Sequence, residues 1–289
     1  MTATKEEFRG ILPANLIPYL TAETEEIRFR RNRPVIFLEN GQELVTPYRF
    51  DEKQMDDLVD QLTEGSLSSY FDTIRQGFIT IKGGHRVGLS GTAVYEDNRL
   101  TYLKDISSVN LRVAKEVIGA ADELFQVVGH LDPLPGILMI SPPGHGKTTL
   151  LRDFLRQLSE KRPGIRISLI DERGEIAATH HGAAQNNLGG RCDVLNGYQK
   201  SDGIPMAIRS LSPNVIAVDE IGNREDESSL LTAYHAGISV VATIHGDENG
   251  TFKQTIQKLM EEQVFSYLVY LRRTDTFHRT ITIQKVECP

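Results

Sequence analysis

A short glycine-containing segment holds the residues whose types and spacing are best suited to bind phosphate. It reads SPPGHGKTT. Gly144 and Gly146 allow successive backbone N–H groups to approach a phosphate closely, and Lys147 adds a positive charge that reaches the β and γ phosphates of a nucleotide. The hydroxyl of Thr148 is a suitable Mg²⁺ ligand. We therefore expect ATP and Mg²⁺ to bind through a continuous set of residues: Ser141, Pro142, Pro143, Gly144, His145, Gly146, Lys147, Thr148 and Thr149.

The elements on either side of this segment have the order that a phosphate-binding loop requires. The apolar run 137–140 predicts a strand, and the apolar residues of 150–158 recur at helical spacing. A loop between a strand and a helix places its N–H groups at the positive end of that helix. The first position of the usual pattern is glycine, whereas this sequence has Ser141. The lysine, the hydroxyl and the flanking elements still predict a P-loop.

Two acidic pairs come directly after apolar runs farther along the chain. Asp171 and Glu172 end one run, whose residues 165–170 predict a strand, and Asp219 and Glu220 end another, whose residues 215–218 predict a strand. Because the carboxyl ends of parallel strands meet at one edge of a sheet, we expect both pairs to face the P-loop. An aspartate in this position can hold Mg²⁺, and an adjacent glutamate can orient or deprotonate an attacking water. We assign the metal role to Asp219 and the water role to Glu220.

A further apolar run, residues 238–244, ends next to His245. It predicts a strand that delivers Thr243 and His245 to the same edge of the sheet. From there, the imidazole of His245 is in a position to sense the γ-phosphate through a hydrogen bond. A histidine after a strand is more often a surface or capping residue, so this assignment depends on its neighbours.

The first part of the chain predicts a small domain without an evident catalytic pair. Apolar residues at helical spacing in 55–62 and 67–74 predict two short helices, and the segments that follow predict a meander of short strands. Apolar residues between 111 and 127 predict a connecting helix before the break at Pro133 and Pro135. We therefore expect an N-terminal α+β domain with its connecting helix over 1–131 and a P-loop ATPase domain over 132–289. The first domain is expected to serve contact or gating.

Composition limits the class of protein. The length of 289 residues suffices for two cores, and the 39% hydrophobic and 25% charged fractions are those of a globular protein. The sequence has neither an apolar run of bilayer length nor the basic and apolar start of a secretory signal, which predicts a cytoplasmic location. The net charge of −7 argues against a nucleic-acid partner. Cys192 and Cys288 are expected to be ordinary thiols.

Several ordered motifs resemble known families. The run AIRSLSPNVIAVDEIGNRED resembles the Walker B region of type II and type IV secretion ATPases, ATIHG resembles their histidine box, and LIDERGEIA stands where their aspartate box lies. The motifs DERGEIA, GGRCDVLNG, IRSLSP and DEIG are more similar still to the stage III sporulation protein AA family of endospore-forming bacteria. That resemblance continues through RQGFITIKGGHRVGLSG and LKDISSVNLRVAKE, so it covers nearly the whole chain.

The resemblance implies an α/β fold with a RecA-like P-loop core that assembles as a homo-oligomer, a hexameric ring. It also implies a place at the cytoplasmic face of a membrane, on the mother-cell side of the forespore, next to channel proteins of the sporulation complex. It places Glu172 on the acidic box and His245 on the histidine box. In the secretion ATPases a glycine often precedes the Walker B glutamate, whereas here Asp219 precedes Glu220. The division of labour between these two acids therefore stays open.

A ring motor also needs a cation that one subunit supplies to the next, to stabilise charge on the transferring phosphoryl group. Arg191 and Arg173 are the candidates, since both lie in the long stretch between the second and third predicted strands of the core. Two other classes remain open. A RecA-like nucleic-acid motor would share the same core, and a scaffold could use ATP only to hold a ring together.

Overall fold

The computed structural model describes residues 8–75, 77–247, 250–254, 256–273 and 279–286. The chain divides into two units, Met1–Lys115 and Glu116–Pro289. Within the described residues, no helix combines the length and the apolarity that would let it span a bilayer. Cys288 lies outside the described residues.

The first unit is built on a six-stranded antiparallel sheet with the order β3-β2-β1-β6-β5-β4. Its strands are β1 Thr24–Arg30, β2 Pro34–Glu39, β3 Gln42–Arg49, β4 Ile79–Thr80, β5 Arg86–Glu96 and β6 Arg99–Arg112. The first three strands were not predicted from the sequence. A tight turn joins β5 and β6, in which Asp97 and Asn98 both adopt positive φ, 49° and 60°, as a hairpin of this kind requires.

Two helices pack on this sheet, as the helical spacing predicts: α1 Glu52–Leu62 and α2 Phe71–Arg75. Helix α1 begins where Asp51 accepts a hydrogen bond from the backbone N–H of Gln54, whose side chain accepts one from the N–H of Asp51. This capping box satisfies two backbone donors that the helix leaves free. The apolar face of α1 is buried in the core of the unit through four side chains: Met55, Leu58, Val59 and Leu62. Burial of each side chain stabilises the fold by about 1.5–3 kcal/mol.

The second unit contains a seven-stranded sheet with the order β11-β8-β12-β13-β7-β14-β15. All neighbouring strands are parallel except β14 and β15 at one edge. The strands of the sheet are β7 Ile137–Ser141, β8 Ile167–Asp171, β11 Cys192–Asn196, β12 Val215–Val218, β13 Ser239–His245, β14 Tyr267–Arg273 and β15 Arg279–Lys285. A separate small hairpin consists of β9 Thr179–His180 and β10 Ala183–Ala184. The predicted strands of the core are confirmed within two residues, whereas β11 was not predicted.

The helices of this unit cover both faces of the sheet. They are α3 Asp122–Leu124, α4 Lys147–Lys161, α5 Lys200–Ser210, α6 Arg224–His235 and α7 Gln257–Glu261. Alternate residues of β7 enter different cores: Ile137 and Met139 belong to one, and Leu138 and Ile140 to the other. A parallel sheet that is buried on both faces needs such an uninterrupted apolar strand.

The predicted connecting helix is wrong over most of its length. Strand β6 continues to Arg112, and helical structure starts only at α3, which continues as one π-helical turn over Phe125–Gly129. The division between the two units falls after Lys115, earlier than the predicted boundary at 131. The reason is packing, because Val113 contacts the core of the first unit whereas Ala121 and Leu124 belong to the core of the second. The helical spacing of apolar residues in 111–127 therefore arose from residues that belong to two different cores.

Candidate active site

The P-loop connects β7 to α4. Gly144 and Gly146 have φ of 75° and 96°, which favours glycine at both positions. Gly146 is the N-cap residue of α4 and has no side chain with which to cap the helix. The N–H groups of the first turn are therefore left for a ligand, and the positive end of the helix favours an anionic one. Thr148 and Thr149 lie half-buried in this first turn. The loop thus fits phosphate.

Lys147 is the first residue of α4 and its side chain is held inside the loop. It is only 7% exposed. Its Nζ donates to the backbone oxygen of Ser141 at 2.8 Å, to the hydroxyl of Ser141 at 3.3 Å and to the backbone oxygen of Pro142 at 3.3 Å. Burial lowers the pKa of Lys147, while the nearby carboxylates of Glu220 and Asp219 oppose that shift. The ammonium group is therefore poorly hydrated, which strengthens its attraction to an incoming anion.

His245 connects this lysine to the candidate water-activating glutamate. Its Nδ1 lies 2.8 Å from Nζ of Lys147, and its Nε2 lies 3.2 Å from Oε2 of Glu220. When Lys147 is protonated, Nδ1 must accept, so Nε2 carries the proton that faces Glu220. The three side chains therefore form one continuous chain of polar contacts at the carboxyl edge of the sheet.

Thr243 holds in place the two acids that follow β12. Its hydroxyl donates to Oδ1 of Asp219 at 2.9 Å and accepts from the backbone N–H of Glu220, also at 2.9 Å. Glu220 has φ of 28°, a conformation that a residue with a side chain rarely adopts. The sequence predicted that Thr243 reaches this edge but gave no indication of its role. Its position follows from the sheet order, in which β13 lies between β12 and β7.

Asp171 and Glu172 have different surroundings. Asp171 is fully buried, and its carboxylate accepts hydrogen bonds from the N–H groups of Glu175, Ile176 and Ala177 at 2.8–3.2 Å. Desolvation raises its pKa, and these three hydrogen bonds oppose the shift. Asp171 thus holds the loop that follows β8 in place.

Glu172 forms an ion pair with Lys200, at 2.7 Å. Lys200, only 6% exposed, also lies 3.6 Å from Asp226, which accepts from the backbone N–H of Gly222 at 2.8 Å. Lys200 therefore ties the loop after β8 to the turn after β12. Among the contacts between described residues, Glu172 has none with Lys147, His245 or Glu220. Lys200 was not predicted, because a lysine at the start of a helix carries no distinctive signal.

The two candidate arginines lie at opposite edges of the sheet. Arg173 lies 3.4 Å from Oε2 of Glu220 at the carboxyl edge, and its side chain is 67% exposed. Arg191 precedes β11 at the amino edge and donates to the backbone oxygen of Ser159, in α4, at 2.6 Å. Arg191 is therefore distant from the P-loop of its own chain.

Cys192 is not a reactive thiol. It begins β11, and burial raises its pKa to about 12, with smaller contributions from the charges of Asp193 and Asp171. A thiol with such a pKa stays protonated near neutral pH and is a poor nucleophile. This agrees with the expectation of an ordinary thiol.

Two solved structures share this mixed α/β fold. One is the ATPase DotB from Legionella pneumophila, with a TM-score of 0.60 and 17% identity over 90% of this chain and 76% of that one. The other is the pilus retraction motor PilT with bound ADP, with a TM-score of 0.61 and 14% identity over 94% of this chain and 82% of that one. At these identities the similarity concerns the fold.

The sequence itself matches a family over almost its whole length. The family described as "Sporulation stage III, protein AA" matches residues 5–285. The stage III sporulation protein AA of Bacillus subtilis (strain 168) is 37% identical over 256 residues, which are 87% of this chain and 83% of that protein. The chain therefore belongs to the stage III sporulation protein AA family.

Proposed function

We propose that the second unit of the chain is a RecA-like P-loop ATPase domain that binds ATP with Mg²⁺ and hydrolyses it. The observation that carries the proposal is the chain of contacts from Lys147 through His245 to Glu220, directly beside the P-loop. Lysine, imidazole and carboxylate here lie within reach of one bound triphosphate. The fold shared with secretion ATPases supports the same reading.

In the proposed reaction, Lys147 contacts the β and γ phosphates and the N–H groups of α4 hold the phosphate chain. Thr148 and Asp219 would hold Mg²⁺, which neutralises charge on the phosphates. Glu220 orients the attacking water and accepts its proton. His245 contacts both the γ-phosphate and Glu220, so that the position of Glu220 depends on the γ-phosphate. Hydrogen bonds to Thr243 fix the carboxylate of Asp219 and the backbone of Glu220 relative to each other.

We further propose that Glu172 acts in the site through Lys200 instead of contacting the nucleotide. The buried ammonium of Lys200 connects Glu172 with the loop that carries Glu220. Turnover would then alter both loops together. This movement would be the mechanical output of the motor.

The proposed assembly is a hexameric homo-oligomer at the cytoplasmic face of a membrane, on the mother-cell side of the forespore. It would energise channel proteins of the sporulation complex. Support comes from membership of the sporulation family and from the fold shared with a pilus retraction motor. Arg191 would act on the site of a neighbouring subunit, because its own P-loop lies at the other edge of the sheet.

The experiment that tests catalysis compares ATP binding and ATP hydrolysis for the same variants. Wild type should hydrolyse ATP only with Mg²⁺, and Lys147→Ala should lose binding. Glu220→Gln should bind ATP while its turnover falls by about 10²–10⁴-fold, the usual contribution of a general base. Glu225→Gln, an exposed acid in α6, serves as the matched control and should behave as wild type. Equal turnover in Glu220→Gln and wild type would contradict the proposal.

A further inference from the structure

The edge strand β15 brings a second cation to the P-loop. Arg279 begins β15 and pairs with Arg273 at the end of β14. Strand β14 runs parallel to β7, with Tyr270 beside Ile140. The start of β15 therefore lies at the carboxyl edge of the sheet, next to the loop that follows β7.

The guanidinium group of Arg279 packs directly against Gly146. A Cβ atom built on Gly146 would lie 2.6 Å from Cζ and 3.1 Å from Nε of Arg279, so the guanidinium lies in direct contact with this residue. The φ of 96° is what favours glycine at this position, because the end of a flexible arginine side chain could move away from a Cβ atom. The charged end of Arg279 lies against the residue that precedes Lys147.

No described residue forms a hydrogen bond or an ion pair with the guanidinium of Arg279. Arg279 is exposed, whereas the less exposed Arg156 and Arg162 have carboxylate partners, Asp153 at 2.6 Å and Asp132 at 2.9 Å. Arginine presents a planar fork of donors that matches the oxygens of a phosphate. A guanidinium that no described carboxylate neutralises, placed over a P-loop, has the chemistry of a phosphate ligand.

We propose that Arg279 contacts the nucleotide phosphates in its own subunit, as a second cation beside Lys147. This inference rests on the proposed nucleotide site. Its consequence is that the start of β15 forms one wall of the site, so that nucleotide binding fixes this edge of the sheet. Arg279 would thus act on the nucleotide of its own subunit, whereas Arg191 would act on the nucleotide of a neighbouring subunit.

The test measures the affinity for Mg²⁺-ADP at several salt concentrations for wild type, Arg279→Gln and Arg279→Lys. We expect Arg279→Gln to weaken binding by about 10- to 100-fold, the range for a hydrogen bond to a charged group. The loss should shrink as salt rises, because an exposed charge is screened, and Arg279→Lys should recover part of the affinity. Lys285→Gln is the matched control, since Lys285 lies on the same strand at the amino edge and should leave binding unchanged.

Three outcomes would overturn the inference. If wild type and Arg279→Gln bind ADP equally, Arg279 does not contact the phosphates although the site stands. If Arg279→Gln and Arg279→Lys lose affinity equally and both melt at a lower temperature, Arg279 only supports the hairpin. If wild type binds neither ADP nor ATP, the proposed nucleotide site fails and the role of Arg279 fails with it.

Discussion

The ammonium nitrogen of Lys147 lies 2.8 Å from Nδ1 of His245. This contact joins the first residue of α4 to the last residue of β13, at the carboxyl edge of the sheet. Lys147 also donates to two backbone oxygens of the P-loop strand and loop. In the proposed site, phosphate oxygens of a bound nucleotide would replace these acceptors. His245 would then face the γ-phosphate while it keeps its contact with Glu220.

Removal of His245 should affect turnover more than binding. We expect His245→Ala to lower kcat by about 10²-fold, because the relay to Glu220 is lost. The dissociation constant for Mg²⁺-ATP should change only a few-fold, since Lys147 still binds the phosphates. Steady-state kinetics together with equilibrium binding measure both quantities. His130→Ala, an exposed histidine of the same unit, is the control. A kcat equal to that of wild type would exclude the relay.

The ion pair between Glu172 and Lys200 should couple the two residues in catalysis. Lys200→Met keeps the length of the side chain but leaves Glu172 without its partner at 2.7 Å. We expect Glu172→Gln and Lys200→Met each to lower kcat, and the double variant to be no worse than the more damaged single one. Contacting residues in a network typically show coupling energies of about 0.5–3 kcal/mol. Additive losses in this double-mutant cycle would show that the pair does not act as a unit.

Arg191 should act on a neighbouring subunit. Arg191→Ala and Lys147→Ala are each expected to be inactive, because an arginine supplied in trans contributes about 10³–10⁵-fold in rate. Mixed oligomers of the two should regain activity, since a Lys147→Ala subunit still carries the arginine that an intact site next to it needs. Mixtures of Lys147→Ala with Glu220→Gln provide the control and should stay inactive. ATP hydrolysis would be measured over a range of mixing ratios. If activity does not recover at any ratio, Arg191 does not act on a neighbouring subunit.

His85 should make the first unit sensitive to acid. The ring is buried, stacks on Phe8 at 4.4 Å and accepts the backbone N–H of Ala114 through Nδ1. Burial lowers its pKa from 6.5 to about 4. The unfolded chain therefore binds a proton first, so stability is lost as the pH falls from about 6.5 towards about 4. The loss at pH 5 should be about 2 kcal/mol.

His85→Asn provides the comparison, because an amide oxygen can accept from Ala114 but does not titrate. Urea denaturation at pH 7.5 and pH 5 should show a smaller loss of unfolding free energy for this variant than for wild type. The difference between the two proteins isolates His85 from other groups that titrate over the same range. Equal losses would mean that protonation of His85 does not limit stability.

The sequence predicted the core of the fold well where one apolar run filled one strand. Residues 137–140 and 215–218 gave the strands β7 and β12 almost to the residue, because a strand buried on both faces needs an uninterrupted apolar sequence. The prediction failed where contacts between distant segments decide the structure. The helical spacing of 111–127 combined residues from two cores, and β3 is exposed at most of its positions, which obscures its alternation.

The same distinction holds for the candidate site. Lys147, Asp219 and Glu220 were predicted because each follows directly from a local pattern of strand, loop and charge, and the structure places all three at one edge of the sheet. The role of Thr243 depends on the order of strands, in which β13 separates β12 from β7. The ion pair of Lys200 depends on where α5 begins relative to β8, which no local pattern contains.

The central claim is that the chain hydrolyses ATP as an oligomer, and it is tested most directly by turnover as a function of protein concentration. Turnover per subunit and molecular mass would be measured on the same samples, for wild type and for Glu220→Gln. We predict that turnover per subunit rises together with the oligomer mass, and that Glu220→Gln assembles and binds ATP without hydrolysing it. An assembled wild-type oligomer that binds ATP but shows no turnover would contradict the account.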